Sequence, residues 1–108
     1  MFTLEAEANG LIGNALLQSG RPMDSLAYLR RYSEMAAELG DAESRCRACS
    51  RLAFALESLG IADKALEELS LVQAISEQAG DLFLQSQSYK AMVRPLFYPC
   101  ITDYSKLK

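Results

Sequence analysis

Cys46 and Cys49, three positions apart, are the first residues of this chain with chemistry to offer. On a helix they would occupy neighbouring positions, where two thiols can share a metal or form a redox pair. A structural zinc needs four ligands. The chain has three cysteines and no histidine, so no second ligand pair completes such a site. Without an imidazole, a serine triad and a Cys/His nucleophile are excluded as well. Cys49 also falls on an apolar period where a small hydrophobe belongs. We therefore expect buried or incidental thiols, no metal and no cofactor. The carboxylate pairs Glu67-Glu68 and Glu5/Glu7 fall on helix faces expected to be solvated. General acid–base work needs a pocket that perturbs a pKa, and nothing in the pattern predicts one. The glycines at 10, 13, 20, 40, 60 and 80 are spread as helix punctuation, unlike a phosphate-cradling loop. The expectation is a protein that is not an enzyme.

Cations are more informative. Arg47, Arg51, Phe54 and Ser58 follow one helical face at three- and four-residue steps, and Lys90 and Arg94 do the same further on. An arginine fork suits carboxylates, because it offers paired charge-assisted hydrogen bonds. The alternative is that these are ordinary exposed charges on solvated helices. The chain as a whole is acidic, with 11 basic against 14 acidic residues and a net charge of -3. That balance argues against general nucleic-acid binding, which needs a basic face.

The elements that must position these residues come from a chain of 108 residues, half of them apolar, which suits one domain with a core. No window of about 18 apolar residues exists to span a membrane. The acidic start, Met-Phe-Thr-Leu-Glu-Ala-Glu-Ala, has no basic region of the signal-peptide kind. An odd number of cysteines without export signals implies reduced thiols and a cytoplasmic location.

The chain repeats itself at a period of 40. Ala8 falls on Ala48, Ala15 on Ala55, Leu16 on Leu56 and Gly20 on Gly60. Leu26 falls on Leu66, Leu29 on Leu69, Gly40 on Gly80 and Asp41 on Asp81. These are small or apolar residues at helical spacing, with the glycines that end helices, and a fixed period of this kind marks stacked repeats. Each repeat reads as two helices. Asp41 caps the first helix of the second repeat, whose buried face carries Cys49, Leu52, Ala53, Leu56 and Leu59. Its second helix buries Ala65, Leu66, Leu69, Val72, Ile75 and Ala79. The first repeat runs from about Thr3 to Gly20 and from Pro22 to Gly40, with Pro22 in a first turn where proline is tolerated. Gly13 falls in mid-helix, which makes sense if another helix crosses closely there.

The segments Leu11-Ile12-Gly13-Asn14-Ala15-Leu16…Gly20 and Leu52-Ala53-Phe54-Ala55-Leu56…Gly60…Ala65…Leu69 resemble the signature of tetratricopeptide repeats. The endings Glu38-Leu39-Gly40-Asp41 and Gln78-Ala79-Gly80-Asp81 are similar to the long-repeat branch of that family, which has about 40 residues per unit. LGN/Pins-like and flagellar tetratricopeptide proteins form that branch. The resemblance covers about residues 3–94 and implies an all-α fold, a right-handed α-solenoid of antiparallel helix pairs with about five helices. The units would be residues 1–40, 41–80 and a half repeat 81–94, followed by an irregular tail 95–108. In that half repeat Tyr89, Met92 and Val93 take packing positions, and Arg94-Pro95 should end or kink the helix.

The resemblance further implies a concave surface lined by the first helix of each unit. Its inward positions are Glu7, Gly10, Leu11, Asn14 and Gln18, then Arg47, Ser50, Arg51, Phe54 and Ser58, then Gln87, Lys90, Ala91 and Arg94. Asn14 matches the family asparagine that hydrogen-bonds a peptide backbone. Arg47 and Arg51 match cationic positions that hold carboxylates. Gly10 stands where chaperone-binding relatives use a lysine, so an internal acidic segment with an apolar anchor against Phe54 or Leu11 is the expected ligand. The peptide-binding residues are then Asn14, Arg47, Arg51, Phe54, Lys90 and Arg94. The function expected is a protein–protein interaction scaffold that binds an acidic peptide segment of a partner protein, without nucleic acid or membrane. The alternatives are a structural assembly element of a ciliary, flagellar or cytoskeletal complex, or a truncated fragment that self-associates into a homo-oligomer through its open C-terminal repeat end.

Overall fold

The computed structural model describes residues 3–82 and residue 85. Four helices make up the described part: α1 (Leu4–Gln18), α2 (Pro22–Leu39), α3 (Ala42–Ser58) and α4 (Ala62–Ala79). The fold is all-helical, with no strand among the described residues. Leu82 and Gln85 are helical again, and the Gln85 N–H donates to the Asp81 carbonyl at 3.0 Å. The rest of the expected fifth helix, with Tyr89, Met92, Val93 and Arg94-Pro95, lies outside the described residues, as does the tail 95–108.

Local chemistry explains the boundaries. Thr3 accepts from the Ala6 N–H at 3.2 Å, and Asp41 accepts from the Ser44 N–H at 3.1 Å, so α1 and α3 each begin on a side-chain cap. Pro22 opens α2, where its missing N–H costs nothing. The helices end on Gly20, Gly40, Gly60 and Gly80, all at φ between 67° and 79°. That left-handed turn lets the next N–H reach back five residues, as Asp41 does to the Ala36 carbonyl at 3.0 Å.

Each helix packs on the next in sequence, and α1 also approaches α3, whereas α2 keeps clear of α4. The side that holds α1 and α3 is therefore the tighter one. Between α3 and α4 the core forms two clusters. One joins Cys46, Cys49, Val72 and Ile75, and the other joins Ala53, Leu56, Ala65 and Leu69, with Leu26 of α2 packed against it. Most of the expected core face is buried, but Leu59 and Leu66 are half-buried and Ala79 is exposed. Ala79 is in the last turn of α4, one turn past Ile75, whose cluster includes Cys46 and Cys49 with Ala42 at the start of α3 packed against it.

The close crossing expected at Gly13 is present between α1 and α2. A methyl group there would fall 2.7 Å from Cδ2 and 2.8 Å from Cγ of Leu29, and 3.3 Å from its backbone nitrogen. Replacing glycine by alanine in a helix normally stabilises by about 1 kcal/mol. Overpacking costs about 1–3 kcal/mol, and here the backbone nitrogen blocks the simplest relief. Gly13→Ala should therefore lower stability by roughly 1 kcal/mol in urea unfolding. A variant more stable than the native chain would contradict this helix crossing. The repeat counterpart, Ala53, is already an alanine and packs in the Leu56/Leu69 cluster, so α3 and α4 leave room for that methyl.

Candidate binding groove

The first helices of the two repeats, α1 and α3, face one another across a groove with two adjoining hollows. One, with a volume of about 350 Å³, is lined by Glu7, Gly10, Leu11, Tyr32, Arg47 and Arg51. The other, of about 440 Å³, is lined by Asn14, Leu17, Gln18, Ser50, Arg51 and Phe54. Asn14, Arg47, Arg51 and Phe54 are thus brought together on one surface, with Arg51 shared by both hollows. Lys90 and Arg94 lie outside the described residues.

Two lining residues were not legible in the sequence. Tyr32 belongs to α2, yet its ring passes beneath Gly10 and floors the groove. A Cβ on Gly10 would lie 3.1 Å from the Tyr32 ring, so the glycine at this position makes space for the tyrosine. The only available signal was a glycine in mid-α1 that needed a bulky neighbour. Leu17, in the last turn of α1, is half-buried and shares the second hollow with Phe54.

The two arginines differ. Arg47 donates to Glu43 Oε1 at 3.1 Å and to the Tyr32 hydroxyl at 3.4 Å. Its pair with Glu43 is solvent-exposed, and such pairs contribute up to about 1 kcal/mol. Arg51 is half-buried and makes no salt bridge to any described residue. Burial lowers its pKa from the ordinary value, Tyr32 opposes that shift, and the neighbouring Arg47 charge adds to it. A guanidinium nevertheless stays protonated in proteins. Its charge is thus held where both desolvation and a like charge disfavour it. An incoming carboxylate relieves both penalties at once.

Apolar surface frames that charge. Leu11 is 71% exposed and Phe54 is 42% exposed, so large apolar side chains line the groove beside a cation. Glu7 adds the opposing sign at one end, which favours acidic ligand groups nearer Arg51.

Cys46 and Cys49 are both buried and free. They turn to different partners: Cys46 Sγ donates to the Val72 carbonyl at 3.8 Å, and Cys49 Sγ lies 3.7 Å from Ser33 Oγ. No cluster of three metal-binding side chains occurs among the described residues. Burial pushes the Cys49 thiol up to about 12 and raises that of Cys46, so both are protonated near neutral pH. A thiol-reactive reagent at pH 8 should leave both unmodified in the folded chain and label both after denaturation, as read by peptide mass mapping. Labelling of Cys49 in the native state would contradict its buried placement. The raised folded-state value also sets a sign. The protonated thiol's contribution to stability is fully present below the unfolded value of 9.0 and is lost as pH rises toward about 12.

No described helix is long and apolar enough to cross a membrane. Comparison with known proteins returns no match: no family model fits the chain, and no curated protein and no solved structure matches it.

Proposed function

We propose that this protein is an interaction module of the tetratricopeptide kind, built as a curved solenoid of repeated helix pairs, that holds an acidic segment of a partner protein in the groove between α1 and α3. The observation that carries this reading is Arg51. It is a half-buried guanidinium without a salt bridge to any described residue, at the junction of two hollows. The 40-residue repetition of caps, turn glycines and packing positions supports the solenoid, and so does the closer approach of the first helices. Asn14 serves as a backbone-directed hydrogen-bonding group, while Leu11, Leu17 and Phe54 accept apolar side chains. Arg47 contributes a second cation once it leaves Glu43, at small cost because that pair is exposed. Binding here needs neither a cofactor nor catalysis.

The test is a titration of acidic peptides carrying one or two large apolar residues into the purified chain, beside Arg51→Glu. Binding by the native chain that disappears in the variant supports the groove. Binding that survives Arg51→Glu overturns it.

A further inference from the structure

The two hollows of the groove differ in charge. Glu7 of α1 and Arg51 of α3 line the first hollow together, yet no ion pair joins Glu7 to Arg51, to Arg47 or to any other described cation. Arg47, in the same hollow, is engaged by Glu43 at 3.1 Å. Glu7 and Arg51 are therefore the two opposite charges that the first hollow presents to a ligand. The second hollow shares Arg51 and holds no other charge. Asn14, Gln18 and Ser50 are neutral there, and Leu17 and Phe54 give it an apolar wall.

The lining residues also set an order along the groove. On α1 they pass from Glu7, Gly10 and Leu11 in the first hollow to Asn14, Leu17 and Gln18 in the second. On α3 they pass from Arg47 through Arg51 to Phe54. Both helices thus run the same way along the groove, and Glu7 takes the repeat position of Arg47, forty residues earlier. At 1.5 Å per residue, Arg51 stands about 6 Å beyond that level and Phe54 about 10 Å beyond it. Alternate side chains of an extended chain share one face and stand about 7 Å apart. Three alternate residues of a bound segment can therefore meet Glu7, Arg51 and Phe54 in turn. The flexible stem of a basic side chain takes up the remaining difference in length.

We infer that the groove selects an extended partner segment in which an acidic residue stands between a basic residue and a large apolar one, each two positions away. The basic residue pairs with Glu7, the acidic residue pairs with Arg51, and the apolar side chain enters the second hollow beside Leu17 and Phe54. This inference rests on the groove being the binding surface, and it adds the order of charges that the surface reads. Glu7 sets the specificity. A ligand acidic throughout places a carboxylate against it, and a ligand with its base at the centre places a cation against Arg51. Either juxtaposition of like charges disfavours the wrong partner.

The test uses the full chain and labelled peptides of one composition, with lysine, glutamate and phenylalanine at alternate positions among serines. Two peptides have glutamate in the middle, one for each chain direction, and two have lysine in the middle. By fluorescence anisotropy at low salt, the better glutamate-centred peptide should bind about tenfold or more tighter than either lysine-centred one, with the ratio shrinking as salt rises. Replacing its lysine by serine should weaken binding to the native chain several-fold and leave binding to Glu7→Gln unchanged. Glu7→Lys should reverse the preference, favouring a peptide with glutamate in place of that lysine. If Glu7→Lys loses helicity by circular dichroism, the Glu7→Gln comparison decides. A lysine effect that persists in Glu7→Gln overturns the inference. Equal binding of the two orders by a chain whose binding Arg51→Glu abolishes also overturns it, while the groove assignment stands. Binding of no peptide, or binding that survives Arg51→Glu, overturns both.

Discussion

Leu56→Ala should lower the thermal midpoint of this protein by roughly 10 °C or more, from a loss of about 2–5 kcal/mol. Leu56 is 3% exposed and joins Ala53, Ala65 and Leu69 in one cluster, with Leu26 of α2 packed against it. It thus ties the second helix of one repeat to both helices of the next. Truncation removes buried methyl groups and leaves a cavity that three helices would have to close. Their backbones are held apart by Leu26, Leu66 and Leu69, so relaxation is limited and the cost should fall in the upper half of that range. In a repeat array each unit is stabilised by its neighbours, so a defect at this junction loosens both units. Its counterpart Leu16 is half-buried, and among the described residues no helix packs on α1 as α2 packs on α3, so Leu16→Ala should cost visibly less. Equal midpoints for the two variants would contradict the placement of Leu56 at the junction.

Arg51→Glu should weaken acidic-peptide binding about 30-fold or more, the range for removing one partner of a charge pair that binding desolvates. The effect is large because the substitution places a carboxylate where both hollows meet and where the peptide's own carboxylate would sit. Arg51→Lys should recover part of the affinity, since it keeps the charge but loses the two-pronged geometry. Arg47→Ala should cost less, because Arg47 must leave Glu43 and Tyr32 before it serves a ligand. All of these differences should shrink between low and physiological salt, where the screening length falls to about 8 Å. Isothermal titration at two salt concentrations checks the order. A loss for Arg47→Ala larger than that for Arg51→Glu would reverse the roles assigned to the two side chains. Circular dichroism should show unchanged helicity throughout, since Arg51 takes no part in the clusters between α3 and α4.

The helices, their ends and their order were legible in the amino acids. Asp41, Pro22 and the turn glycines act within a few residues of chain, so their effect needs no tertiary partner to be foreseen. The 40-residue identity of those signals likewise showed that one helix pair follows another. The grouping of Asn14 and Phe54 with the two arginines followed from helical spacing and from the family resemblance, and the hollows between α1 and α3 do collect these four residues. Tertiary structure alone decided the rest. Tyr32 reaches the groove from α2 because Gly10 leaves space above its ring, a contact between residues 22 positions apart that no local period encodes. Two arginines of equal standing in the sequence became unequal because Glu43 lies one turn from Arg47, whereas Arg51 is half-buried between two hollows. Repeat-equivalent residues such as Ile12 and Leu52 share a pattern but not an environment. Burial depends on which neighbours are present, and α3 has a helix on each side while the outer face of α1 has none among the described residues.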